Sequence, residues 1–365
     1  MSEHDKATSF DVAALAGVSQ PTVSRALRGD RAISESTRKR VEAIALQLNY
    51  KVDKNASSLR RGASKTLALL FFEDPIPDGS FINPFFLSML GSILRTCAAR
   101  GYDLLTSFQQ LSSDWHMDFE DSRKADGIIL LGYGDFEIHR ARLEQLERQG
   151  THFVRWGSVE PGARGTTIGC DNFAGGHAAG KHLVACGRRR IAFLGDASGH
   201  YPEFRDRYLG LCAALREAGL PVDPGLQVDA LTVEQAGYDA TRRLLRREIA
   251  FDAIFAGSDM IAIGAMRALE ESGLSVPHDI AVVGFDDIPT AGFTRPPLTT
   301  IAQDYCRAAE MLVDTLIDQI AQRPTDTALL APRLVVRGTT AVTPARKPAR
   351  DRTMAPASSL SPRLP

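Results

Sequence analysis

The sequence predicts an α/β protein: an N-terminal three-helix helix-turn-helix headpiece plus two doubly wound parallel-sheet subdomains in tandem. Three observations carry that prediction. Residues 8–29 show an apolar pattern of helical period, interrupted once at Gly17-Val18-Ser19. From Thr66 onward, short β-rich runs alternate with longer amphipathic segments. The chain has 365 residues and 44% apolar composition, enough for two or three domains with sizeable cores.

The headpiece is legible helix by helix. In the run TSFDVAALAGVSQPTVSRALRG, Val12, Leu15 and Ala16 recur at three- and four-residue spacing, and Val23, Ala26 and Leu27 resume the pattern after the break. Thr8 with Asp11, and Ser19 with Thr22, place side-chain oxygens where the free amides of each helix start need acceptors. Gly17 supplies the backbone freedom of the turn. Ser34 is the expected N-cap of a third helix whose stripe is Val41, Ile44, Ala45 and Leu48.

Beyond the headpiece, strands are expected at 66–72, 102–108, 126–132 and 151–156, separated by helices at 85–100, 114–124 and 136–149. A second series follows Cys170, with strands at 190–196, 225–230, 252–259 and 279–287 and helices near 173–187, 204–219, 233–247 and 259–272. Tandem sheets of this kind bind ligands at the carboxyl ends of their strands, which makes the cleft between them the natural site.

Charge separates the two parts. Residues 1–62 hold eleven Lys/Arg against seven Asp/Glu, a net of +4, whereas the whole chain has 43 against 44, leaving the remainder at −5. A local basic excess fits phosphate contact by the headpiece alone. No apolar run resembles a secretion signal or approaches the roughly 18 residues of a membrane helix, so a cytoplasmic location without membrane contact is expected. Cys97, Cys170, Cys186, Cys212 and Cys306 lack paired short spacing and read as buried small hydrophobes, with no metal or other cofactor implied. His177 and His182 are five residues apart rather than four, which disfavours a helical metal pair. The run GGHAAGKH (175–182) has His182 where a phosphate-binding loop needs a hydroxyl, so it reads as a small-residue helix.

Eight stations in order, DVAALAGVSQPTVSRAL, ASSLRRG, NPFF (83–86), CDNFAGG (170–176), FRDRYLG (204–210), FAGSDMIAIGAMRAL (255–269), VVGFDD (282–287) and PPLTTIAQD (296–304), resemble the lac repressor family of transcriptional regulators, whose core is of the periplasmic-binding-protein type. The resemblance spans Thr8 to about Thr340. It implies a headpiece at 1–54, a hinge helix or linker at 55–64, and an effector-binding and dimerisation core at 65–342. Within that core the N-subdomain is about 65–170 plus 302–331, and the C-subdomain about 171–301 plus 332–342.

The resemblance also implies residue roles. Gln20, Pro21 and Arg25 match positions that read base edges, with Arg25 able to donate two hydrogen bonds to guanine. Pro21 departs from the pattern, because it offers a base only apolar contact. Thr8, Ser19, Thr22, Ser24 and Arg28 fall on the DNA side, where Thr22 and Ser24 fix register on phosphates. Leu59, in a connector too short to be helical alone, matches a leucine that enters the minor groove. In the cleft, Phe85 and Phe86 would cover the apolar face of a sugar or a base, or pack in the core. Trp156 stands at the pocket edge or in the core. Arg207, Ser258, Asp286 and Gln303 match positions that point into the pocket from strand ends and crossovers, and together they donate to and accept from a ligand with several hydroxyls. For Asp171, capping the helix that follows is a sufficient role.

After Thr343 the proline-rich, basic composition predicts a disordered tail at 343–365 without a leucine-heptad helix. The expected protein is a homodimeric repressor whose partners are double-stranded operator DNA and a small-molecule effector, a sugar and by preference an α-glucoside. A purine or other metabolite effector is the alternative, and a solute-binding protein a more distant one. An enzyme is disfavoured, because the sequence has no nucleophile elbow, GxGxxG turn or metal-ligand cluster.

Overall fold

The computed structural model describes residues 7–27, 29–50, 63–71, 82–108, 114–132, 134–160, 162 and 164–340. The expectations for Arg28, for most of the 55–64 connector with Leu59, and for the 343–365 tail lie outside the described residues.

Three helices form the headpiece: α1 (Ser9–Ala16), α2 (Gln20–Ala26) and α3 (Glu35–Gln47). α1 opens on a reciprocal capping box between Thr8 and Asp11 and ends at Gly17, whose φ of 61° is the left-handed conformation the turn requires. Ser34 caps α3 by accepting from the Thr37 amide. Val12, Ala16, Val23, Ala26, Val41 and Ala45 bury one small core. Two expectations need correction here. Leu15 is 61% exposed and not part of that core, because it lies outside the arc of Val12, Ala13 and Ala16, about 60° round the helix from Val12 and about 100° from Ala16. Ser19 makes no side-chain cap bond; its hydroxyl pairs with that of Thr22 instead, at 2.8 Å.

The core then runs β1 (Thr66–Phe71), α4 (Pro84–Ala99), β2 (Asp103–Phe108), a π-helical turn (His116–Asp121), β3 (Ile128–Leu131), α5 (Phe136–Gln149), β4 (Phe153–Trp156), β5 (Thr166–Cys170), α6 (Asn172–Ala185), β6 (Ile191–Leu194), α7 (Pro202–Glu217), β7 (Gln227–Val228), α8 (Glu234–Arg246), β8 (Ala253–Ala256), α9 (Asp259–Glu271), β9 (Ala281–Asp286), β10 (Thr299–Ala302), α10 (Tyr305–Ile320), β11 (Ala328–Leu330) and β12 (Arg333–Val335). Two six-stranded sheets result, in the orders β11-β5-β4-β3-β1-β2 and β12-β10-β9-β8-β6-β7. All pairings are parallel except β10 with β12. The chain passes between the sheets three times: after Cys170, after Ala302 and after Leu330. α10 packs back on α4 and on β3, β4 and β5 of the first sheet.

Local chemistry explains why the elements start where they do. Asn83, Asp135 and Asp171 each accept a first-turn amide at the start of α4, α5 and α6. Asp126 accepts from the Ser64 and Lys65 amides at 2.5 and 2.8 Å, fixing the chain as it enters β1. The run GGHAAGKH is helical. A Cβ on Gly176 would overlap the Arg207 carbonyl, and one on Gly210 would overlap that of Phe173, so these glycines set the close approach of α6 to α7. Two expected elements are altered: the helix at 114–124 is the π-helical turn, and the strand at 225–230 shrinks to β7 behind a 3₁₀ turn at Pro224–Leu226. Of the cysteines, Cys97, Cys170 and Cys212 are buried, while Cys306 is exposed, contrary to expectation.

Candidate functional site

The headpiece presents one face of α2. Val23 and Ala26 point into its core, which leaves Pro21 and Arg25 exposed and Gln20, Thr22 and Ser24 half-buried on the outer side. Pro21 falls in the first turn, where its missing amide donor costs little. Gln20 Nε2 donates to Ser9 Oγ at 3.2 Å, tying the two helices. Thr8 donates both its amide and its hydroxyl to Asp11 Oδ2 at 2.7 Å, and these bonds hold the Asp11 carboxyl below its usual range. Thr8 therefore acts first as a cap.

The expected effector residues come together where the sheets meet. Phe85 and Phe86 occupy the first turn of α4, and Phe85 lies 6.0 Å from the Trp156 ring at the end of β4. Across the crossovers, Asp286 ends β9 and accepts from Gln303 Nε2 at 2.7 Å, with Arg207 Nη1 4.0 Å away. Ser258 follows β8 and caps α9, its hydroxyl accepting from the Ile261 amide at 3.3 Å. Arg207 reaches the site from inside α7 rather than from a strand end, a correction to the expected placement. Its guanidinium lies 3.7 Å from the centre of the Phe285 ring and donates to Asn172 Oδ1 at 2.8 Å and to the Gly257 carbonyl at 2.5 Å. All seven side chains are at most 5% exposed, so the site is closed to solvent in this arrangement.

The structure adds residues that the sequence did not nominate. Asn172 Nδ2 donates to Ser158 Oγ at 3.4 Å, carrying the Arg207 network into the first subdomain. Arg155 donates to the Ser158 carbonyl at 2.5 Å, and the Ser158 amide donates to Glu203 Oε1 at 2.8 Å. Burial lowers the Arg155 pKa, and its Nε has no partner. Asn83 is buried, with its Nδ2 also unpaired. The buried charges here balance: Arg155 and Arg207 against Glu203 and Asp286. Asp259, beneath the site, is pushed well above its usual carboxyl range by burial and then by Asp286. Asp286 and Asp287 have φ of 115° and 55°, a departure worth about 1–3 kcal/mol per residue where the conformation is sparsely populated. Among the described residues, no cluster fits a metal ion. His177 and His182 pair separately, with Glu217 and Thr340.

At one edge of the cleft, the Phe136 amide donates to the His200 carbonyl at 2.9 Å, and His200 Nδ1 meets both Asp135 oxygens at 2.9–3.0 Å. The Asp135 hydrogen bond raises the His200 pKa above 6.5. Burial alone would raise that of Asp135, yet the His200 bond and the Ile138 and Glu137 amides leave it lowered. A raised histidine contributes most below its unfolded pKa and loses that contribution as pH rises through its folded value. A lowered aspartate loses its contribution as pH falls below its ordinary range. The closed arrangement is therefore favoured at pH 5–6 over pH 8. Small-angle scattering of wild type and His200→Gln across that range checks this, with the variant expected to show a flatter profile.

Residues 10–53 match the lacI family of bacterial regulatory proteins, and residues 181–340 match a periplasmic binding protein-like domain. The ribose operon repressor of Escherichia coli strain K12 is 33% identical over 338 residues, covering 91% of this chain and 99% of the relative. The HTH-type transcriptional repressor PurR of Haemophilus influenzae is 29% identical over 321 residues, covering 87% and 92%. Among solved structures, the lac repressor dimer bound to operator and the anti-inducer ONPF superposes with a TM-score of 0.81 at 26% identity, covering 93% of this chain and all of that one.

Proposed function

Because the chain belongs to the lacI family of bacterial regulatory proteins, we propose that it represses transcription as a homodimer on a near-palindromic operator and that a neutral sugar between the subdomains sets its operator affinity. The observation that carries this reading is the polar network running from Arg207 through Asn172 to Ser158. It spans both subdomains, so a ligand joining it binds their closed arrangement best, and differential affinity of that kind is what shifts a conformational equilibrium.

Charge balance supports a neutral effector. Two buried cations face two buried anions, and an ionised ligand would add a charge that nothing there compensates. The donors and acceptors around Asp286 suit hydroxyls, and the rings of Phe85 and Trp156 suit the apolar face of a sugar. Ribose is the effector suggested by the first relative's name, and an α-glucoside fits the same polar set. Thermal-shift titration with D-ribose, maltose and hypoxanthine tests the reading: a sugar should raise the melting temperature and change operator affinity, whereas a response confined to hypoxanthine would overturn the sugar assignment.

Two headpieces on a two-fold operator need a two-fold protein. Leu87 and Leu94 on α4, Phe108 on β2 and Phe293, which is 85% exposed, give the chain apolar surface for a second copy. The relatives named above are repressors, which fits a binding role rather than catalysis. No helix among the described residues is long and apolar enough to cross a membrane.

The connector makes a separate prediction. Leu59→Ala should leave the dimer intact and weaken operator binding through reduced DNA bending, because an apolar wedge between base steps kinks the duplex. Wild-type bend angle and affinity, measured by circular-permutation gel shift, would show that Leu59 is a linker residue.

A further inference from the structure

Among the described residues, Asp259 is a fully buried carboxyl group beneath the cleft whose identified hydrogen bonds go to none of the proposed ligand groups. It opens α9, and its side chain crosses β9 at Gly284, where a Cβ would overlap its Oδ1. Oδ1 accepts from Thr300 Oγ1 on β10 at 2.5 Å. Oδ2 accepts from the Ile288 amide at 2.8 Å. That amide is the first after Asp286 and Asp287, the two residues at positive φ. Gln303, three residues beyond Thr300, donates to Asp286.

From this geometry we infer that Asp259 is a positioning residue: by holding the Ile288 amide and the Thr300 hydroxyl together, it fixes the strained Asp286–Asp287 turn in the conformation that presents Asp286 to the effector. The inference rests on Asp286 being an effector contact. Three anchors hold the turn against its strain. Asp259 binds its far end, Arg337 Nη2 donates to Asp287 Oδ1 at 2.6 Å, and Gln303 holds Asp286 itself. Asp259 joins the turn to β10, the strand that leads into the crossover at Gln303, through the two oxygens of one carboxyl group. The turn that carries Asp286 is thereby joined to the segment that crosses from one sheet to the other after Ala302.

Burial and then the neighbouring Asp286 push the Asp259 carboxyl well above its usual range, against the lowering effect of the Thr300 and Ile288 hydrogen bonds. An asparagine has the same shape, keeps the carbonyl acceptor for Ile288 and offers an amide to the Thr300 hydroxyl. It is the conservative replacement, whereas alanine removes both contacts. The experiment compares Asp259→Ala, Asp259→Asn, Thr300→Val and Asp286→Asn in the full chain. It combines hydrogen exchange at residues 284–290 without ligand and titration with D-ribose and maltose. Asp259→Ala should speed exchange of the Ile288 amide at least tenfold and weaken the bound sugar at least tenfold, while Asp259→Asn stays within threefold of wild type on both. Thr300→Val, which keeps the carboxylate and its volume, should shift both in the same direction by a smaller factor and covers the case in which Asp259→Ala fails to fold. Wild-type exchange at Ile288 in the folded alanine and valine variants overturns the inference. So does wild-type sugar affinity in those variants when Asp286→Asn has lost it. If Asp286→Asn itself binds sugar like wild type, the effector reading falls instead, and Ile288 exchange alone then decides whether Asp259 holds the turn.

Discussion

Arg25→Ala weakens binding to the cognate operator by about 1–3 kcal/mol per half-site while leaving binding to random duplex much less affected. Arg25 lies exposed in the last turn of α2, on the side opposite the buried Val23 and Ala26. A guanidinium exposed in this way has the geometry to donate two parallel hydrogen bonds to the O6 and N7 of guanine, a pattern no other base offers, and that pairing is what the variant tests. A dimer makes the contact twice, so the full operator loses about 2–6 kcal/mol if the half-sites act independently. The salt slope should fall little, because slope counts neutralised phosphates. Fluorescence anisotropy with the operator and with a scrambled duplex, each at several salt concentrations, measures both quantities. Equal losses on the two duplexes, with a shallower slope, would make Arg25 a phosphate contact rather than a base reader.

The headpiece was legible because its signals are local. Thr8, Asp11, Gly17 and Ser34 act on amides or turns within three residues of themselves, and that chemistry is written in sequence order. α5 was legible for the same reason, since Asp135 caps one end and Gly150, at φ 71°, terminates the other. What failed depends on partners distant in sequence. β5 carries Thr166, Thr167 and Gly169 and looks like loop until its pairing with β4 and β11 is known. β11 and β12 are three residues each and join different sheets, so only the crossovers give them meaning. The π-helical turn replaces an expected α-helix where His116, Glu120, Thr151 and His152 hydrogen-bond across the fold.

The site divides along the same line. Motif matching nominated Arg207, Ser258, Asp286 and Gln303, and the pattern placed a helix at 204–219, but neither showed that Gly176 and Gly210 let this helix press against α6 and so aim Arg207 into the site. Nor could it show that Asn172 links Arg207 to Ser158, since Asn172 reads in sequence as the first residue of a helix. Arg155 stood next to Trp156 in the sequence, yet alternation along β4 sends the two side chains to opposite faces of the sheet. Arg155 then meets Phe136 and Trp156 meets Phe85. Asp259 carried no signal beyond its place after a capping serine, and only its burial identifies it.

Asp286→Asn lowers effector affinity by about 1.5–3 kcal/mol, the range for a hydrogen bond to a charged group, or roughly 10- to 150-fold. Asparagine is preferable to alanine as the probe because Asp286 sits at φ 115°, where a residue without a polar side chain adds backbone strain. The substitution keeps the oxygen that accepts from Gln303 and replaces the second acceptor with a donor. A ligand hydroxyl that had donated there then meets an N–H. Arg207 keeps Asn172 and the Gly257 carbonyl, so the network persists and the lost affinity reports on the ligand contact. Allosteric response should fall in parallel. An effector shifts the operator-binding equilibrium only by its differential affinity for the two arrangements, and weakening the contact that favours closure reduces that differential. Calorimetry with the sugar and operator titrations at saturating effector measure the two effects. A drop in affinity with an undiminished effector response would mean that Asp286 binds the ligand equally in both arrangements and plays no part in switching.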